Sequence, residues 1–168
     1  MILQEAALNI VVTIMMMAGL PVDDQELQAD IYCGAQNIYF EAGSEPVEGM
    51  MAIADVTINR KKSTRWPDSI CNVVWQDKQF SWTHDGKSDD IPLESPYQKQ
   101  LWSGSVFMFV NALLNENDYS KCGTHYHNKY QLVTLDPLLV VQPSSLSSLL
   151  YSVPLLVKSW FSFMWYKV

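Results

Sequence analysis

Two runs of apolar residues at helical spacing, broken by a short corner, constrain this chain more than any other feature of its 168 residues. Leu27, Ile31, Ala35 and Ile38 recur along one stripe behind the cap candidates Asp23 and Asp24, so a helix is expected from about Gln25 to Ala42. Gly43 stops it. Ser44, Glu45 and Pro46 then start a second helix, whose stripe is Val47, Met50, Met51, Ala54 and Ile58 and which is expected to end near Asn59. A corner of this kind between two packed helices is a place where a cleft can open.

The rest of the chain builds around that pair. Trp66-Pro67-Asp68 is turn chemistry, with the aspartate able to cap a short helix over Ser69 to Trp75. Gln79 to Ser95 is polar and reads as a long surface loop, and Pro96 to Leu114 has helical spacing through Tyr97, Leu101, Val106 and Val110. The alternation in Gly123-Thr124-His125-Tyr126-His127 suggests a short strand. The expected fold class is therefore α+β, mostly helical, in one domain of a size that can bury most of its apolar surface.

Both ends differ from that domain, so three segments are expected: an apolar stretch over 1–22, the domain over 23–131, and a Ser- and Leu-rich tail over 132–168. The run from Ala6 to Leu20 has the length of a signal-peptide core but is short for a membrane span. Glu5, not a Lys or Arg, precedes it, which favours a core helix. From Pro137 to Val157 no residue is charged, about the length of a bilayer span, with the Trp160 to Tyr166 aromatics beyond it. Its serines and prolines make a poor span, so a partly packed tail is expected in preference to membrane contact.

Charge and cysteines narrow the function classes. A net charge of −7 argues against a nucleic-acid partner, and the cluster Arg60, Lys61, Lys62 and Arg65 reads as a solvated turn. Cys33, Cys71 and Cys122 are an odd count without CxxC spacing, which indicates neither a disulfide framework nor structural zinc. They read as buried thiols, with a Cys33–Cys71 bridge as the alternative in an exported protein.

The residue best suited to chemistry is Glu41. Cleaving a glycosidic bond requires a proton for the leaving oxygen, and a Glu supplies it best where apolar neighbours raise its pKa. Glu41 follows Ile38, Tyr39 and Phe40 at the helix end, beside the corner. Alone the signal is weak, since a Glu at a helix end is usually solvated. Glu45 and Glu48 read as first-turn carboxylates favouring the second helix's dipole.

A longer string sharpens the reading. Asn37-Ile38-Tyr39-Phe40-Glu41-Ala42-Gly43-Ser44-Glu45-Pro46, followed by Glu48-Gly49, Ala52-Ile53-Ala54-Asp55-Val56 and Asn59-Arg60, resembles the signature of SleB-like cell wall hydrolases, a family of spore-cortex-lytic enzymes and phage proteins. The resemblance continues in order through Trp66-Pro67, Ile70-Cys71-Asn72-Val73-Val74, Gln79-Phe80-Ser81-Trp82, Asp85-Gly86 and Thr124-His125-Tyr126-His127.

The resemblance implies a lysozyme-like, lytic-transglycosylase-like fold acting on the bond between N-acetylmuramic acid and N-acetylglucosamine in peptidoglycan glycan strands. It implies Glu41 as the catalytic acid, with Tyr39 beside it at the substrate. Gln79, Ser81 and Trp82 suit a sugar cleft, through amide, hydroxyl and indole, although Phe80 and Trp82 read equally well as core aromatics. Thr124, His125 and Tyr126 are expected on the opposite wall. No cofactor is expected, and the enzyme is expected to act as a monomer, either exported or phage-encoded and released from a host cytoplasm.

Two alternatives stay open. His125 and His127 would face one side of a strand and could ligate zinc with His84, as in an amidase cutting the muramoyl to L-alanine bond. An inactive wall-binding module is the other. The chain also departs from the family pattern: Gly43 and Ser44 stand where Arg or Lys is common, and beyond His127 the usual closing Pro and Trp give way to the apolar tail.

Overall fold

The computed structural model describes residues 4–115, 120 and 122–125. Five α-helices carry the architecture among them: α1 (Glu5–Met17), α2 (Gln25–Ala42), α3 (Val47–Lys62), α4 (Ile70–Val74) and α5 (Pro96–Leu114), with a 3-10 turn at Ser81–His84 between the last two. They belong to one compact unit, and α2 lies at its centre, in contact with the other four α-helices.

Local chemistry sets the helix ends. Asp24 caps α2 by accepting from the Leu27 N–H at 2.9 Å, and Ser95 with Gln98 forms a reciprocal capping box at the start of α5, where Pro96 takes the first helical position. At α4 it is Ser69, not Asp68, whose side chain accepts from the Asn72 N–H. The second helix runs to Lys62, past the expected end near Asn59, because its last turn carries Arg60, Lys61 and Lys62, which favour a helix C-terminus.

Burial explains why α2 is central. Every residue from Asp30 to Ile38 is buried, so the helix is enclosed on all sides, not on one stripe. Its polar members are tied to their neighbours: the Gln36 amide donates to the Asp89 carbonyl at 2.7 Å, and Asn37 donates to the Thr57 hydroxyl at 3.1 Å. Gly34 allows α5 to come close, since a Cβ there would lie 2.2 Å from the Phe109 ring. Gly34→Ala is expected to cost about 1–3 kcal/mol by overpacking, read as a lowered denaturant midpoint at constant m, with partial recovery on adding Phe109→Leu. No loss of stability would show that α2 and α5 can separate without penalty.

The N-terminal apolar run is part of this core. Ala7, Val11 and Met15 of α1 are fully buried, the Trp102 indole N–H donates to the Ala7 carbonyl at 3.0 Å, and Met16 and Met17 stay exposed on the other side. No helix among the described residues is long and apolar enough to cross a membrane. The tail over 132–168 lies outside the described residues.

Three expectations need correction. Residues 123–125 form no strand: Cys122 has φ +63° and the Gly123 N–H bonds to the Ser120 carbonyl, a tight turn that breaks the extended pairing a strand needs. The described residues are thus mostly helical and contain no strand. Cys33 and Cys71 are not separate thiols; they form a disulfide joining α2 to α4, with Cα atoms 5.1 Å apart. The loop over 79–95 is no purely surface segment either, since Phe80, Trp82 and Ile91 are buried in the core.

The same face of α2 holds α4 twice. Asp30, one turn before Cys33, is 4% exposed; one of its carboxylate oxygens accepts from the Ile70 and Cys71 N–H groups and the other pairs with Lys61 at 2.6 Å. Ser69 and Asp30 thereby satisfy the first three helical N–H groups of α4.

Candidate active site

Glu41 stands in the last turn of α2, half-buried, and the 3-10 turn is fastened over it by an aromatic strap. Trp82 is 6% exposed, stacks on Phe40 with ring centroids 4.7 Å apart, meets the edge of Trp75, and donates its indole N–H to the Asn37 side chain at 3.0 Å. Asn37 lies one turn before Glu41 and is held from the other side by Thr57 of α3. This attachment brings Ser81, adjacent to Trp82, against the Glu41 carboxyl.

The electrostatics follow from that placement. Burial pushes the Glu41 pKa above the ordinary 4.5, while the Ser81 backbone N–H and hydroxyl pull it part of the way back. The negative end of the α2 dipole acts in the same direction as burial. One carboxyl oxygen, Oε1, is shut off from solvent with no hydrogen-bond partner. An unpartnered buried oxygen favours the protonated carboxyl, which suits a proton donor. No second carboxylate among the described residues contributes to this shift.

The expected substrate residues separate into groups. Ser81 joins Glu41. Trp82 lies on the core side of its two readings, with one ring face on Phe40 and its N–H engaged, so it offers no open platform to a sugar. Tyr39, two positions from Glu41 and hence on a different helix face, packs edge-on against Trp102. Burial first, then Tyr97 and Glu94, raises its phenol pKa. Glu48 is exposed and Glu45 partly so.

Gln79, Thr124 and His125 come together elsewhere, in a cleft of about 220 Å³ that they share with Arg65, Trp66 and Gln76. The end of α3 anchors the segment that carries Thr124: Asn59 donates to Ser120 at 2.9 Å and to the Gly123 carbonyl at 3.2 Å, and Arg60 Nε donates to the Thr124 carbonyl at 2.8 Å. Arg60 is 5% exposed, its guanidinium 4.3 Å from the Trp66 ring centroid and 5.0 Å from that of Phe80. Burial lowers its pKa.

The basic cluster is therefore only in part a solvated turn, with Lys62 and Arg65 exposed. Arg60 is a buried strut, Lys61 pairs with Asp30, and Arg65 lines the cleft. Trp66, Arg65 and Gln76 were not read as site residues from the sequence. The available signal is Trp66-Pro67, which belongs to the family string and also has turn chemistry.

The histidines do not converge among the described residues. His84 Nδ1 lies 3.4 Å from the Thr83 hydroxyl, while His125 Nδ1 is 3.1 Å from the Thr124 hydroxyl and its ring meets the edge of Trp66. No group of three or more His, Cys, Asp or Glu among the described residues is placed to hold a metal ion. Tyr126 and His127 lie outside the described residues.

Trp82→Phe separates the strap's hydrogen bond from its packing. It is expected to cost about 1–3 kcal/mol by leaving the buried Asn37 oxygen without a donor. Loosening Ser81 is expected to lower kcat roughly tenfold at similar KM, and an unchanged kcat would mean that Ser81 is positioned without the strap.

With this geometry in place, comparison with known proteins is informative. Residues 44–139, more than half of the chain, match the cell wall hydrolase family, and the chain belongs to that family. The matched span starts three residues beyond Glu41. Among curated relatives, the spore cortex-lytic enzyme of Bacillus subtilis is 41% identical over 72 residues, covering 43% of this chain and 24% of the relative. That of Halalkalibacterium halodurans is 32% identical over 99 residues, covering 59% and 27%. That of Oceanobacillus iheyensis is 38% identical over 60 residues, covering 36% and 22%. The chain thus spans about a quarter of the length of these relatives. No solved structure matches it.

Proposed function

We propose that this domain cleaves the glycosidic bond between N-acetylmuramic acid and N-acetylglucosamine in peptidoglycan, as a lytic transglycosylase on a lysozyme-like scaffold, with Glu41 as acid and then base. The observation that carries the reading is the half-buried carboxyl whose pKa burial raises and whose inner oxygen has no partner. The family and the cortex-lytic relatives support the substrate class.

The steps balance on one carboxyl. Protonated Glu41 gives its proton to the glycosidic oxygen as the bond to the muramoyl anomeric carbon breaks. The muramoyl 6-hydroxyl closes on that carbon and returns its proton to the Glu41 carboxylate. The products are a 1,6-anhydromuramoyl end and a free N-acetylglucosamine hydroxyl, with no water consumed. Hydrolysis by a carboxylate pair would require a second group several ångströms away, and support for the one-carboxyl route is that no second carboxylate among the described residues contributes to the shift of Glu41. The Cys33–Cys71 bridge supports action in an oxidising space outside a cytoplasm.

The test is digestion of peptidoglycan by wild type and Glu41→Gln, with and without a chelator, followed by mass spectrometry of the fragments. Anhydromuramoyl products from wild type alone, indifferent to chelation, are expected. Reducing-end muramic acid would replace transglycosylation by hydrolysis, and free peptides lost on chelation would replace both by a zinc amidase.

A further inference from the structure

We propose that the Cys33–Cys71 bridge is a redox switch on the rate of the enzyme: closed, it holds α4 in the register that seats Ser81 on Glu41, and opened by a dithiol it leaves the domain folded with that seat slackened. The switch rests on Glu41 as the acid and adds to that reading a means of regulating it.

Bridge and acid are joined by a run of direct contacts. Cys33 stands on α2, upstream of Glu41 on the same helix, and Cys71 is the second residue of α4. The Cys71 carbonyl accepts from the Trp75 N–H at 2.9 Å. The Trp75 ring meets Trp82 edge-on with centroids 5.2 Å apart, and Trp82 adjoins the Ser81 that bonds the Glu41 carboxyl. A displacement of Cys71 thus reaches the acid through packed and hydrogen-bonded neighbours, and the bridge is the element with two states.

Opening the bridge has to move one of its ends. Two thiol sulfurs cannot stand as close as two bonded ones, and van der Waals contact sets them on the order of 1.5 Å further apart. Cys33 is fully buried in the helix that touches the other four, so it has no room to yield. Cys71 is partly exposed and sits on a helix of five residues, too short to hold its shape alone, so the displacement falls on α4.

The short helix nevertheless stays docked. Ile70, Val73 and Val74 are buried, and Asp30 accepts from the Ile70 and Cys71 N–H groups whether or not the sulfurs are joined. A bridged sulfur has no hydrogen to give, but the Cys71 thiol does, and the Ala29 carbonyl stands 3.1 Å from that sulfur. Reduction therefore leads to a second folded arrangement, not to a detached helix.

The chemistry is thiol–disulfide exchange. One thiolate of the dithiol attacks the partly exposed Cys71, the S–S bond breaks, and Cys33 leaves with the electron pair and takes up a proton. The second thiolate of the dithiol then displaces Cys71, which is protonated in turn, and the dithiol closes its own disulfide. The protein gains two electrons and two protons, and the dithiol loses both. The chain is slack in a reducing space and taut wherever disulfides persist.

The experiment uses the full chain carrying Cys122→Ser, so that the exposed third cysteine takes no part in exchange. Peptidoglycan lysis is measured before and after dithiothreitol, with thiols counted and far- and near-ultraviolet circular dichroism recorded on the same samples. The Cys33 and Cys71 thiols are expected to appear with the far-ultraviolet signal retained and the near-ultraviolet signal of the Trp75–Trp82 pair altered. The rate constant kcat is expected to fall about fivefold at a KM within about twofold, and to recover with oxidised dithiothreitol. Cys33→Ser with Cys71→Ser, added to the same chain, is expected not to respond to dithiothreitol. A folded, fully reduced enzyme at unchanged kcat would overturn the switch. So would a loss on KM alone, a collapse of the far-ultraviolet signal, a bridge that dithiothreitol leaves intact, or an equal response of the serine pair. Undiminished lysis by the oxidised Glu41→Gln variant would instead overturn the acid reading, and with it the route from bridge to Glu41, whatever the response to dithiothreitol.

Discussion

Glu41→Gln is expected to lower glycan cleavage by about 10²- to 10⁴-fold, the usual contribution of a general acid, while making the folded protein more stable at neutral pH. The second half follows from linkage. Glu41 has a higher pKa folded than unfolded, so between the ordinary 4.5 and its raised value the native state holds more protons than the unfolded state. Stability therefore falls as pH rises through that window, and above it the ionised carboxylate carries the full burial penalty. Below the unfolded pKa both states are protonated and the penalty vanishes. The amide variant has no such term. Its melting temperature is expected to exceed that of wild type at pH 7 and to converge with it near pH 4. A wild type more stable than Glu41→Gln at pH 7 would show that the carboxylate is well satisfied when ionised, which is incompatible with the proposed acid.

Loss of the Cys33–Cys71 bridge should have the largest effect on stability. The two cysteines are 38 residues apart, and closing a loop of that length stabilises by about 4 kcal/mol on the chain-entropy account. Cys33→Ser with Cys71→Ser, or wild type held in reductant, is expected to lose that much in denaturant unfolding. Asp30→Ala should remove about 1–3 kcal/mol more by stranding the α4 N–H groups it caps. Because Asp30 and Cys33 fasten the same short helix, the losses are expected to be non-additive in the combined variant. Full additivity would mean that α4 is held independently at the two points.

Legibility in the sequence divides along the same line as the physics. Periodicity and caps are local, so α2 was readable to its boundaries from Leu27, Ile31, Ala35, Ile38 and Asp24, and α5 from Pro96 to Leu114. What depended on distant partners was not. Nothing near Arg60 in sequence indicates that it would be enclosed between Trp66 and Phe80, and the Cys33–Cys71 bridge, open as an alternative in the sequence, is decided only by the packing of α4 on α2. The alternation over 123–127 is a poor guide at 123–125 because the preceding turn at Cys122, a purely backbone event, breaks the extended run there. Glu41 stands out in the sequence by its apolar neighbours and the family string, whereas Trp66 does not, because a Trp-Pro pair reads first as a bend.

The aromatic strap has a consequence for how such an enzyme can be tuned. Phe40, next to Glu41 in sequence, stacks on Trp82, next to the Ser81 that bonds the Glu41 carboxyl, so on the proposed mechanism the acidity of the reacting group depends on the packing behind it. The alkaline limb of the pH-rate profile thereby becomes a gauge of the interior: a smaller side chain at Phe40 admits solvent and moves that limb to lower pH without altering any group that touches the glycan. Adaptation to a more acidic or more alkaline wall can then proceed through substitutions that, to a reader of the sequence, concern only the fit of one ring against another.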